Sequence, residues 1–249
     1  MDRIQMRAAL VIQVLDAVTG RTVEESGCRP EINITSGKPP FYKGDGYYLF
    51  LQPPEPEAVV TIQAYGYGSF RRKAAELAVS KGICKVYMQP DSQYPLSTGI
   101  YGLQGMAEPG STLLLVCREP AWQGRLTEDY EAGAEVIAFS TKRKEDMGME
   151  FRIQEQEQED FFKLAEGMDT GQGPYRLAVP LSHSYQKGKA LLFPVKRISV
   201  NASGEFVCYL PREKGSRAVM SCELWKQDGK EWKELELQAG ARLSIGRIE

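Results

Sequence analysis

The sequence predicts an all-β protein built as two β-sandwich or barrel-like domains. Three observations lead there. Short alternating runs such as Ala9–Asp16, Tyr47–Leu51 and Val59–Tyr67 recur at hairpin spacing through the first ninety residues, bounded by Gly or Pro. Helical periodicity is weak, and the one helical alternative, Glu155–Ala165, is short and rests on the preference of Glu and Gln. The polar stretch Asp91–Ile100, with Pro95 and Gly99, interrupts a chain of 249 residues, which is long enough for two self-sufficient cores. The predicted division is 1–92, a linker at 93–100, and 101–249.

In Ala9–Asp16 the β-branched content and late alternation favour a strand with one buried face, and Thr19-Gly20 supplies its turn. Pro30–Thr35 alternates again, with Ile32 and Ile34 inward. Gly44-Asp45-Gly46 offers positive-φ positions for a hairpin into the aromatic strand Tyr47–Leu51. A proline bend, Pro53-Pro54-Glu55-Pro56, lacks the N–H groups a central strand needs, and Val59–Tyr65 follows it. Ile83–Met88 closes the series before Pro90, giving about six strands, the signal of an antiparallel sandwich.

The run Val11–Asp16 with Thr19–Val23, then Gly46–Phe50, Val60–Tyr67 and Val86–Pro90, resembles the carboxypeptidase regulatory-like (transthyretin-like, Ig-like) domain over residues 8–90. That resemblance implies an accessory β-sandwich of the kind attached to enzymes, receptors, adhesins and particle proteins, and it implies no activity. The long segment Glu24–Pro40 and the proline bend depart from the family pattern.

Beyond the linker, strands are predicted at Gly110–Val116, Ala134–Phe139, Met149–Ile153, Tyr175–Val179, Ala190–Val195 and Glu205–Leu210. A final hairpin joins Ser221–Gln227 to Trp232–Leu237 through Asp228-Gly229. Leu126–Val136 and Leu181–Leu191 share the pattern Leu-x-x-x-Tyr-x-x-Gly-x-x-aliphatic, which suits a twice-used corner of a barrel or sandwich. The run Tyr175–Leu181 with Tyr185, Gly188 and Pro194-Val195 is similar to segments of phage-tail and contractile-injection-system virion proteins.

The chain has 31 Lys and Arg against 33 Asp and Glu, so no basic footprint for nucleic acid or an anionic membrane exists. The densest basic cluster, Lys142-Arg143-Lys144, is followed at once by Glu145-Asp146 and reads as a solvated loop. Five scattered cysteines, Cys28, Cys84, Cys117, Cys208 and Cys222, form no C-x-x-C and read as reduced, buried thiols. The start Met1–Arg7 and the short apolar stretch behind it lack a signal peptide's features, and no run is long enough to span a bilayer. Cytoplasmic synthesis is the expectation.

His183 is the single histidine, which excludes multi-histidine metal sites. It could serve a triad or dyad, yet Leu181–Tyr185 contains no nucleophile elbow, and a polar turn histidine is expected. The acidic run Glu155–Asp160 alternates with Gln and is read as a solvated edge rather than a glycosidase pair. Asp45 lacks calcium-loop spacing, and Gly66-Tyr67-Gly68 leads to Phe70-Arg71-Arg72 instead of a phosphate-binding helix. Trp122, Trp225 and Trp232 with Tyr47, Tyr48, Tyr65 and Tyr67 could stack sugars, but Trp225 and Trp232 sit on two arms of one hairpin, where mutual packing suffices.

No catalytic, cofactor-binding or metal-binding residue is predicted, and no cofactor. The sequence points to a non-enzymatic structural or adaptor subunit of a larger protein assembly, with a phage-tail-like contractile particle, released from the cell, as the assembly the second resemblance implies. The alternative is a carbohydrate- or surface-binding module, and a hydrolase comes third. Expected partners are protein subunits or further copies of the chain, with surface carbohydrate under the alternative.

Overall fold

Nearly every regular element in the computed structural model is a strand, and the fold is all-β with several sheets, a multi-sandwich arrangement. Residues 8–77, 82–120, 122–140, 150–165, 174–212, 214–227 and 232–248 are described. The start Met1–Arg7, the cluster Lys142–Asp146 and the turn Asp228-Gly229 lie outside them. The chain divides into two units, Met1–Leu96 with Tyr209–Pro211, and Ser97–Cys208 with Arg212–Glu249.

The first unit contains β1 (Leu10–Asp16), β2 (Glu31–Ile34), β3 (Phe41–Gly44), β4 (Tyr47–Phe50), β5 (Val59–Gln63), β6 (Phe70–Lys73) and β7 (Ile83–Met88). They form two sheets, ordered β3-β4-β1-β7 and β2-β5-β6. Alternation decides which face is buried: Ile12, Val14, Phe50, Val60, Ile62, Val86 and Met88 are all buried. The β3–β4 hairpin turns through positive φ at Gly44, Asp45 and Gly46, as the Gly-Asp-Gly run predicts.

Three features differ from the sequence reading. The short strands β3 and β6 replace expected loop. A 3-10 turn at Val23–Ser26 and the helical turn α1 at Ala74–Leu77 add helix. The closing strand β7 pairs with β1 in parallel, Val11 opposite Ile83 through Asp16 opposite Met88. A parallel partner requires a crossover, and the chain makes it by running through β5 and β6 of the other sheet before returning.

The second unit contains β8 (Ile100–Met106), β9 (Thr112–Cys117), β10 (Gly124–Leu126), β11 (Val136–Ile137), β12 (Phe139–Ser140), β13 (Glu150–Glu155), β14 (Gln158–Lys163), β15 (Tyr175–Arg176), β16 (Leu191–Ser199), the first part of β17 (Glu205–Pro211), whose Tyr209–Pro211 are counted with the first unit, β18 (Val219–Lys226), β19 (Trp232–Gln238) and β20 (Arg242–Arg247). The main sheet runs β12-β10-β16-β9-β18-β19, with β13 also paired to β16 and β14 to β13. A second sheet runs β17-β8-β20, and β11 pairs with β15. The long β16 serves two bodies of core: its start pairs with β10 and β13, its end with β9.

The helical alternative at Glu155–Ala165 is the turn and second strand of the β13–β14 hairpin. Phe151 and Ile153 on β13 and Phe162 on β14 are buried in one apolar cluster with Leu126, Phe139 and Tyr175, and Gln156 turns the chain at φ 55°. Burial at strand spacing outweighs the modest helix preference of Glu and Gln.

Candidate interaction surface

The segment Glu24–Pro40 supplies part of the lining of two open clefts in the first unit. Its 3-10 turn buries Val23 and ends at Gly27, and the chain then runs through Cys28–Pro30 into β2. The buried Tyr48 hydroxyl donates to the Pro30 carbonyl at 2.8 Å and fixes this entry. Tyr42 on β3 lies 5.2 Å from the Tyr48 ring and donates its hydroxyl to Glu24. Against it, the Arg29 guanidinium sits 4.2 Å from the Tyr42 ring centroid, within cation–π range. The hydrogen bond to Glu24, then desolvation, pushes the Tyr42 phenol up to about 12.

Two clefts flank this point. One, about 550 Å³, is lined by Arg29, Glu31, Ile32, Phe41, Tyr42 and Tyr48. The other, about 480 Å³, is lined by Cys28, Arg29, Glu31, Gln63, Tyr65 and Tyr67. Arg29 and Glu31 belong to both. Phe41 and Tyr65 are each 65% exposed, unusual for aromatic rings on a small sandwich. Sequence reading missed Arg29, Phe41 and Tyr42 individually, although Phe41-Tyr42 ahead of Gly44 is a strand signal once Pro39-Pro40 is taken as its boundary.

The other polar side chains that invite a functional reading are committed to structure. Asp16, buried at the end of β1, accepts from the Val18 and Thr19 N–H groups at 2.6 and 3.3 Å, and from the Tyr67 and Tyr94 hydroxyls at 3.1 and 2.5 Å. Burial first, and then the Asp16 carboxylate, raises both phenols. Tyr94 falls in the segment read as a linker, yet it is buried. Its signal was a single Tyr in a polar run.

His183 Nδ1 lies 3.3 Å from Asp160 Oδ1, while Asp160 Oδ2 accepts the Ser182 and His183 backbone N–H groups at 2.9 and 3.1 Å. The neighbouring Ser184 hydroxyl donates to Glu131 at 2.9 Å and so is turned toward a carboxylate rather than an imidazole. Glu155 accepts the Gln186 N–H at 2.7 Å. The acids of Glu155–Asp160 therefore do more than keep an edge solvated: Glu155 and Asp160 anchor the Ser182–Gln186 loop, and Glu159 binds Arg152.

That arginine belongs to a buried network. Glu223 Oε2 accepts from Arg152 Nη1 at 2.5 Å and Trp225 Nε1 at 2.9 Å, its Oε1 forms an ion pair with Arg118 at 2.6 Å, and the Arg152 guanidinium stacks 4.9 Å from the Trp225 ring. Of the aromatics considered for sugar stacking, Tyr48, Tyr67, Trp122 and Trp225 are buried, and Tyr65 is exposed. All five thiols are free, and burial pushes Cys208 and Cys222 up to about 12, which makes them poor nucleophiles. Among the described residues no cluster of three His, Cys, Asp or Glu could hold a metal, and no helix is long and apolar enough to cross a membrane. No family model, curated protein or solved structure matches the chain.

Proposed function

We propose that the chain is a non-enzymatic structural or adaptor subunit of a larger protein assembly, and that its first unit engages a neighbouring protein at the Arg29 clefts. The observation that carries this reading is the contrast between surfaces. Exposed Phe41, Tyr65 and Arg29 surround open clefts, whereas Asp16, Asp160 and Glu223 spend their hydrogen bonds on the fold. A phage-tail-like contractile particle is the assembly that the Tyr175–Leu181 resemblance implies. The test is purification of the tagged chain from its native host. A stoichiometric multi-subunit particle visible by electron microscopy is the expected result, and a free monodisperse chain in lysate and released material alike overturns it.

A second reading, binding of surface carbohydrate, is favoured by the exposure of Phe41 and Tyr65 on the two sides of Glu31. Oligosaccharide binding lost on Phe41→Ala and Tyr65→Ala would establish it.

A further inference from the structure

We propose that the outward edge of β2 accepts an extended segment of a partner protein as an added strand, with an acidic side chain of that segment seated on Arg29. This rests on the assembly reading and names the chemistry of the partner.

Strand addition needs backbone groups that point away from the sheet. In the β2–β5 register, Glu31 faces Gln63, Ile32 faces Ile62, Asn33 faces Thr61 and Ile34 faces Val60. The Thr35 N–H donates to the Val59 carbonyl at 3.1 Å, so the alternation of an antiparallel pair directs Asn33 and Glu31 toward β5 as well. Ile32 and Ile34 consequently turn their N–H and C=O groups outward. Among the described residues β5 is the strand neighbour on one side of β2, and none pairs on the other.

The two edges of this sheet are treated differently. β6 carries Arg71, Arg72 and Lys73 in succession, with Lys73 held by Glu57 at 2.6 Å and Arg72 near Glu76 at 3.7 Å. A run of charges of this kind discourages pairing. β2 has no Lys or Arg within it and a single charge, Glu31, at its start, and Ile32 lines the 550 Å³ cleft together with Phe41 and Tyr42 of β3. An incoming strand on this edge would set alternate apolar side chains beside Ile32.

Charge selects the partner. Arg29 stacks on Tyr42 but forms no ion pair among the described residues, although it stands at the entrance to β2 in both clefts. A carboxylate from the added strand would complete it with charge-assisted hydrogen bonds.

The test uses the full chain and two heptapeptides, Glu-Val-Thr-Val-Thr-Val-Glu and its counterpart with Lys at both ends. Binding of the Glu peptide should slow hydrogen exchange at the Ile32 and Ile34 amides. Ile34→Pro removes an outward N–H that makes no ladder bond, so the fold should survive while affinity falls by more than about tenfold. Arg29→Glu should reverse the preference to the Lys peptide. Unchanged exchange at Ile32 and Ile34 with either peptide overturns the inference, as does undiminished binding by a folded Ile34→Pro chain. Cellohexaose that binds equally well to wild type and Ile34→Pro, with neither peptide bound, overturns it in favour of a saccharide site. If Ile34→Pro still co-purifies with the particle, strand addition fails and the assembly reading stands. If wild type has no particle, the assembly reading fails.

Discussion

Tyr130 and Tyr185 exchange both backbone hydrogen bonds, each N–H reaching the other's carbonyl, at 2.9 and 2.8 Å. Each is the fifth residue of its copy of the Leu-x-x-x-Tyr-x-x-Gly pattern. The two copies are therefore joined to each other about a local two-fold through the tyrosines, not merely used twice. The symmetry extends outward. Asp129 accepts the Lys187 N–H at 2.7 Å, and its counterpart Ser184 accepts the Ala132 N–H at 3.1 Å. Leu126 and Leu181, which open the two copies, are buried in the same cluster.

A repeat paired in this way should respond equally to equal insults. Gly133 and Gly188 hold φ at 88° and 80°, and a Cβ on either would meet nothing within 4 Å. Alanine there is penalised by backbone strain alone, about 1 kcal/mol at each site. Denaturant unfolding of Gly133→Ala and Gly188→Ala should show similar losses. A large loss at one and none at the other would dissolve the symmetry.

The Arg152–Glu223 pair is buried on both sides, so breaking it strands a charge. Glu223→Gln or Arg152→Met alone should destabilise the second unit by about 3–5 kcal/mol, and the double variant by clearly less than the two losses combined. Strict additivity in the double-mutant cycle would mean that the two groups act through separate neighbours.

Strands whose own side chains alternate were legible. Ile12 and Val14, or Val60 and Ile62, announce a buried face without outside help. Phe41–Gly44 and Phe70–Lys73 were not, because a four-residue edge strand beside prolines or arginines is made a strand by its neighbour's ladder. Direction was also hidden, since alternation in Ile83–Met88 reads identically for a parallel or an antiparallel partner. The Glu155–Ala165 hairpin shows local preference yielding to Phe151, Ile153 and Phe162 in a shared core. At the cleft, the long segment was visible as an anomaly. The stacking of Arg29 on Tyr42 exists only after β2 and β3 are folded, and no local pattern encodes it.

Alkaline conditions should destabilise the chain before neutral ones do. Burial raises the Tyr67, Tyr94 and Tyr185 phenols and pushes the Cys208 and Cys222 thiols up to about 12. The unfolded chain loses these protons first, near about pH 8.5 for Cys and 10 for Tyr, so the unfolded state is favoured as pH climbs beyond those values. Stability is fully present below them. Each group adds a slope approaching about 1.4 kcal/mol per pH unit between its unfolded and folded values. Phenolate absorbance in the native protein should lag behind that in denaturant, and complete native titration near pH 10 would remove the basis for the prediction.

His183 and Asp160 separate an anchor from a catalytic pair. The imidazole is 44% exposed, so His183→Ala should cost less than about 1 kcal/mol. Asp160→Ala should cost more, on the order of 2–4 kcal/mol, because two backbone N–H groups lose a charged acceptor at once, and Asp160→Asn should recover part of that loss through its remaining oxygen. Urea unfolding ranks the three variants. Assays with generic ester, peptide and glycoside substrates should read the same for wild type and His183→Ala, whereas a turnover abolished by His183→Ala and Asp160→Asn, with the fold retained, would make this pair catalytic.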